Sequence, residues 1–309
     1  MRTALFRLFR WGKRLIGGRH GRGLASRPIL GALYRNLLQA LRPHGIVEVN
    51  YHGIPLLIDA DDWTHLPLLM GTEYNDPEVA LCEAYLRPGD VALDLGANCG
   101  CFAVIMARAV GPQGRVFAFE PAPETFQLLR QNLERNGFSH ARAVPFAVAD
   151  RPGTAEFYLS PRASGYHHLH AGEPDAVPVV VTVTSLDAFF KGSPPAVRLL
   201  KMDVQGAEPL VLRGAERLLA SSPELVLITE LEPADLIAFG VRPEEYLTQV
   251  EGLGFRLYHI SHEKAERRQP IPVDRQEALR RAERYGHINL LAVRREEDLP
   301  EIVLRQRRG

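Results

Sequence analysis

Short unbroken apolar runs alternate along this chain with longer stretches whose apolar residues recur every three or four positions. Val91–Leu95 (VALDL) and the runs at residues 115–120, 141–149, 197–203 and 224–230 suit strands covered on both faces. The periodic stretches between them predict helices at about residues 102–110, 121–136, 206–220 and 243–252. Strands alternating with helices imply a parallel sheet with helices on both faces. Residues 255–260 and 287–293 supply two last strands, and no clear crossover helix joins them, which places one antiparallel strand in the sheet. The Arg- and Glu-rich connection 262–286 reads as solvated and partly helical. Residues 154–159 and 177–183 are β-like and suggest an antiparallel excursion.

The first part of the chain has a different pattern. Leu5, Leu8, Phe9, Leu15 and Ile16 fall on one helical face, with Arg2, Arg7, Arg10, Lys13 and Arg14 supplying charge. Residues 1–16 read either as a membrane-surface helix or as a helix docked on its own domain or a partner subunit. Arg7 and Arg10 interrupt the apolar run, so a secretory signal is not expected. Gly17-Gly18 and the Arg/Gly-rich residues to Arg27 form a joint. A helix striped by Leu30, Leu33, Leu37, Leu38 and Leu41 follows, then a hairpin turning at His52-Gly53. The expected organisation is a basic amphipathic segment (1–27), an accessory helix and hairpin (28–70) and a main domain (71–309).

The candidate chemistry gathers between residues 91 and 120: strand, loop Gly96-Ala97-Asn98-Cys99-Gly100, helix, and a second strand ending in Glu120. Glycines at 96 and 100 let the backbone pass close to a ligand. Glu120 lies about twenty residues beyond the loop, the spacing at which a carboxylate accepts hydrogen bonds from ribose hydroxyls. A nucleoside-containing ligand follows. The loop lacks the third glycine of a dinucleotide fingerprint, and Asp94 sets a negative charge where a pyrophosphate would sit. A carboxylate repels phosphate and attracts an amino group or a sulfonium. The loop therefore suits S-adenosyl-L-methionine better than NAD.

Composition narrows the partners. Apolar residues make up 46% of the 309 positions and the formal net charge is zero, so a sizeable core is expected and general nucleic-acid binding is not. Cys82, Cys99 and Cys101 fit neither a zinc knuckle nor a disulfide framework and read as small buried thiols of a reducing, cytoplasmic compartment. No run approaches the ~20 apolar residues that span a bilayer. His167, His168 and His170 have no Cys, Asp or Glu at convincing ligand spacing, so no metal is expected there.

With these segments in hand the chain resembles the FkbM family of S-adenosylmethionine-dependent methyltransferases, over about residues 71–231. The resemblance is carried by Pro88-Gly89-Asp90, Asp94-Leu95-Gly96-Ala97-Asn98, Phe119-Glu120-Pro121, Lys201-Met202-Asp203-Val204-Gln205-Gly206-Ala207-Glu208 and Leu212-Arg213-Gly214-Ala215. It implies a Rossmann-like class I methyltransferase fold, a seven-stranded, mostly parallel α/β sheet whose last strand is antiparallel. It also implies O-methylation of a sugar, glycan or secondary metabolite. By similarity Asp94, Gly96, Ala97, Asn98 and Gly100 line the methionine half of the cofactor, Glu120 holds the ribose, and Ala147 borders the adenine. Gln205 departs from the glutamate common in the family.

A hydroxyl is a poor nucleophile until its proton is being removed, so a general base is expected beside the transferable methyl. Ligands of open α/β sheets sit beyond the carboxyl ends of the strands. That criterion selects Asp203 and Glu230, with His167 reachable from a loop; Asp203 alternatively caps the next helix. Two other classes stay open: an NAD-dependent oxidoreductase, and an inactive membrane-associated adaptor that keeps the fold.

Overall fold

The computed structural model describes residues 6, 36–72, 76–161, 163–169, 175–263, 269–295 and 299. The stretch 1–16 expected as a membrane-surface or docked helix (residue 6 apart), the joint to Arg27, the start of the following helix and the tail after Pro300 lie outside them. The chain divides into two compact units, Met1–Tyr74 and Asn75–Gly309. Among the described residues no helix is long and apolar enough to cross a membrane.

In the first unit, strands β1 (Ile46–Tyr51) and β2 (Ile54–Asp59) form the antiparallel hairpin. His52 and Gly53 both take positive φ, 49° and 86°, the combination that matches the right-handed twist of a two-residue hairpin. Leu56 and Ile58 alternate onto the buried face. A short helix, Leu66–Met70, stops at Gly71 in the left-handed conformation.

The second unit is built on β3 (Val91–Leu95), β4 (Arg115–Phe119), β5 (Ala141–Val144), β6 (Ala147–Val148), β7 (Gly153–Leu159), β8 (Val177–Thr184), β9 (Leu199–Met202), β10 (Val226–Leu231), β11 (Arg256–Ile260), β12 (Ile271–Pro272) and β13 (Ile288–Val293). The main sheet runs β12-β11-β13-β10-β9-β3-β4-β5. β5, β4, β3, β9 and β10 are mutually parallel, and β13 inserts antiparallel between β10 and β11. The sheet thus has eight strands rather than the expected seven. The extra one, the two-residue β12, arises because the 262–286 connection returns along β11, Tyr258 facing Pro272. The rest of that connection forms the helix Arg275–Tyr285, whose N-terminus is capped by Asp274 accepting from the Glu277 N–H at 2.8 Å.

Two further expectations are corrected. The expected third strand, 141–149, breaks at Pro145-Phe146: β5 stays in the main sheet, while β6 pairs with β8 in a separate sheet of order β6-β8-β7. Proline cannot donate to the ladder, which ends β5 there. The expected helix 206–220 is two helices, Glu208–Arg213 and Glu216–Ala220. Gly214 sits at the break because a Cβ there would lie 2.2 Å from the Ala149 carbonyl oxygen.

The central strands are apolar on both faces, and Leu93, Leu95, Leu200, Leu227, Leu290 and Ala292 are fully buried. Burying each leucine contributes roughly 1.5–3 kcal/mol. The order reverses at β3, which has β4 on one side and β9 on the other, and that switch point opens the crevice in which such sheets bind ligands.

Candidate active site

Asp94 is the penultimate residue of β3 and is completely buried. Burial pushes its carboxyl up to about 6, against the pull of the Lys201 ammonium 3.9 Å away. Its oxygens take no side-chain hydrogen bond, and the Lys201 ammonium and the Ala103 N–H are what favour its charged form. A buried carboxylate so lightly compensated is a ready seat for a ligand cation.

Beyond Asp94 the chain turns at Gly96, with φ +74°, where a Cβ would lie 1.9 Å from the Asp203 carbonyl oxygen. The ends of β3 and β9 abut there, so only glycine fits. The Gly96 and Ala97 N–H groups both donate to the Phe119 carbonyl, at 3.0 and 2.9 Å, which binds the turn to β4. Asn98, at φ +51°, accepts from the Cys99 N–H at 2.7 Å and donates through Nδ2 to Ser164 Oγ at 2.8 Å. The excursion between β7 and β8 is thereby tied to the glycine turn. Gly100, at φ +95°, is also tightly packed: a Cβ there would meet Leu129 Cδ1 at 2.9 Å. Cys99 and Cys101 are buried free thiols with Sγ atoms 3.7 Å apart.

Glu120 follows β4 and is 5% exposed. Its Oε2 accepts from the Asn98 N–H at 2.8 Å and its Oε1 from the Ala122 N–H at 2.9 Å. A carboxylate has about four acceptor positions, so two remain for a pair of ribose hydroxyls. Burial pushes its pKa up to about 7 even though the two backbone donors favour the charged form. Ala147 lies on β6 rather than at the tip of the main sheet, in the same buried cluster as Ala122.

Asp203, just beyond β9, hydrogen-bonds to Lys201 Nζ at 3.1 Å and to Gln205 Nε2 at 3.0 Å. It does not cap the following helix, since Glu208 Oε1 takes the Val204 N–H at 3.0 Å. Burial alone would raise its pKa, yet Lys201 overcomes that and holds Asp203 below the ordinary carboxylate range. The same Gln205 Nε2 reaches Glu230 Oε2 at 3.1 Å. Glu230 is opposite in character: burial, then the charges of Asp203 and Glu232, hold its pKa well above the ordinary value. One amide therefore joins two carboxylates of unequal proton affinity. His167 stands apart, its Nε2 3.3 Å from the Ser160 carbonyl and its ring edge-on to Phe157.

Sequence reasoning missed Lys201, Ser164 and His287. Lys201 was findable: it lies two residues before Asp203, on the same face of β9, and pairs in register with Asp94. Nothing in the sequence marks Ser164 as the partner of Asn98, 66 residues away. Nor does it show that Glu230, Glu232 and His287 bring ligating atoms within 4.8 Å of one another, the grouping of potential metal ligands found among the described residues. That grouping includes neither His167 nor His168.

A parallel sheet with one inserted antiparallel strand, a glycine turn at its switch point and an acid at the tip of the adjacent strand define a class I, S-adenosylmethionine-dependent methyltransferase fold. The residues fit that cofactor: the buried Asp94 carboxylate suits its ammonium, and Glu120 keeps acceptor positions for its ribose. Residues 94–257 match the model of the methyltransferase FkbM domain, and the chain belongs to that family. It is 34% identical over 161 residues to the 31-O-demethyl-FK506 methyltransferase FkbM of Streptomyces tacrolimicus, covering 42% of this chain and 61% of that relative. It is 31% identical over 134 residues to the hexuronic acid methyltransferase AglP of Haloferax volcanii, covering 43% of this chain and 52% of that relative. The aligned regions thus span less than two thirds of either relative. A SAM-dependent O-methyltransferase from Thermotoga maritima superposes with a TM-score of 0.42 at 16% identity, over 85% of this chain and 80% of that one. Family membership sets the NAD-dependent reading aside.

Proposed function

We propose that the protein methylates a hydroxyl oxygen of a sugar, glycan or other small metabolite, with Glu230 as general base. The observation that carries this reading is the shared Gln205 amide, which holds Glu230 and Asp203 side by side next to the glycine turn. When bound, the cofactor supplies an already activated methyl group, so the protein's task is to align the acceptor oxygen and remove its proton. Alignment of this kind is worth roughly 7–11 kcal/mol in favourable cases. Glu230, whose proton affinity burial raises, is the stronger base of the two carboxylates once it is ionised. Asp203, held ionised by Lys201, is suited to accept a hydrogen bond from a second acceptor hydroxyl and so fix its orientation. Asp94, Gly96, Ala97, Asn98, Gly100, Glu120 and Ala147 would hold the cofactor. Two relatives whose names specify a 31-O-demethyl acceptor and a hexuronic acid support an oxygen acceptor.

The test is incubation with methyl-labelled S-adenosylmethionine and extracts of the native host, followed by mass spectrometry of labelled products. An O-methylated hydroxy compound is expected; label on nitrogen, carbon or protein would overturn the reading. Glu230→Gln should abolish incorporation while S-adenosylhomocysteine still binds. Asp203→Asn should reduce turnover and raise the concentration of acceptor required.

A further inference from the structure

We propose a second ligand site, for a phosphate-bearing anion, on the rim of the sheet opposite the methyl-transfer crevice. A cavity of about 450 Å³ opens there, lined by Gln113, Arg115, Phe117, Ser139, His140 and Arg142 among others. Arg115 is the first residue of β4, so the cavity sits at the amino ends of strands whose carboxyl ends carry Glu120. At about 3.3 Å per residue the two sites are separated by the full length of β4.

The register explains why the arginines converge. Phe117 pairs with Arg142 across the parallel ladder, which puts both side chains on one face of the sheet. Arg115 precedes Phe117 by two residues and shares that face. Arg142 lies 5.6 Å from the centroid of the Phe189 ring, and Phe117 packs edge-on against Phe189 and Phe190. Stacking on a ring uses the flat face of a guanidinium and leaves its N–H edge available to a ligand.

Two cations on neighbouring strands repel each other unless an anion joins them. Among the described residues no carboxylate forms an ion pair with Arg115 or Arg142, and the one side-chain interaction of the two guanidinium groups is that of Arg142 with the Phe189 ring. Nor does the adjacent carboxyl end of the helix Cys101–Val110 require them. Its Ala107 carbonyl is taken by the Gly111 N–H and by His140 Nε2, and its Val110 carbonyl by the Gly89 N–H. The cavity volume is in the range that holds small ligands, and paired arginine forks match phosphate oxygens.

Titration calorimetry with pyrophosphate as the probe, at ionic strength held constant with sodium chloride, tests the site. Saturable binding is expected, weakened about tenfold or more in Arg115→Gln and in Arg142→Gln, since each removes a charge-assisted hydrogen bond. S-adenosylhomocysteine affinity should be unchanged in both variants, which shows that they fold. No saturable binding up to about 10 mM pyrophosphate, or equal binding by wild type and both variants, would sink the proposal. A second arm identifies the source of the phosphate. If phosphatidylcholine vesicles containing phosphatidate sediment the protein, and both pyrophosphate and Arg142→Gln release it, the natural ligand is a lipid headgroup. If pyrophosphate binds and vesicles give no such displaceable fraction, it is a soluble phosphate ester.

Discussion

The Lys201 ammonium lies 3.1 Å from Asp203 Oδ2, on a side chain that is almost wholly enclosed while its partner opens to the crevice. The same nitrogen is 3.9 Å from Asp94 and 4.7 Å from the centre of the Phe102 ring. Burial works against the charge on Lys201, but the Asp203 and Asp94 carboxylates outweigh it and raise its pKa. A single internal cation thus stands between the proposed cofactor side and the proposed acceptor side.

Lys201→Met should therefore be costly. Removing one partner of a buried ion pair leaves an uncompensated charge, typically worth 3–5 kcal/mol. Urea unfolding should show a loss of about that size. A loss under about 1 kcal/mol would mean the carboxylates find other partners.

Cofactor affinity should depend on pH with a definite sign. Asp94 and Glu120 have pKa values raised to about 6 and about 7, above their ordinary 3.8 and 4.5. In the free protein the folded state binds more protons than the unfolded one between about pH 4 and 7, so these groups lower folding stability as pH rises through that window. A ligand ammonium on Asp94 favours the ionised form, so binding releases protons. Titration of S-adenosylhomocysteine in buffers of different ionisation enthalpy should show that release near pH 6, and affinity should fall as pH drops below it. Affinity independent of pH between 5 and 8 would remove Asp94 from the cofactor site.

Gly96→Ala should damage folding and cofactor binding together. The residue would carry the strain of a positive φ, and its new methyl would overlap the Asp203 carbonyl. These two effects suggest a loss of roughly 2–4 kcal/mol. Gly100→Ala meets only the movable end of Leu129 beyond its own strain, so it should cost less stability than Gly96→Ala. Comparing the pair by thermal melting and ligand titration separates the two glycines.

Glu120→Ala should weaken S-adenosylhomocysteine binding by about 2–3 kcal/mol, the scale of lost hydrogen bonds to a charged group. Calorimetry checks it. A change below threefold would show that the ribose is held elsewhere.

The sequence made the fold readable where the physics is local. VALDL and ELVLITE are mostly apolar on both faces because helices cover both, with the acids Asp94 and Glu230 near their carboxyl ends, and Gly96 to Glu120 carries its spacing in plain view. It failed where a distant contact decides. Nothing near Gly214 says that the Ala149 carbonyl will press on it, and the two-residue β12 has too little pattern to register against the polar connection around it. Asp203 and Glu230 were placed by topology alone. Their unequal proton affinities were not readable, because Lys201 pulls Asp203 down through a side-chain contact while burial and neighbouring carboxylates push Glu230 up, and neither is encoded in composition or periodicity.

The Asn98–Ser164 bond gives the segment between β7 and β8 an anchor on the glycine turn. A graft of the segment between β7 and β8 from another member of the family needs a hydroxyl at 164 to keep its mooring. The nucleotide turn itself can stay untouched while what it is offered changes.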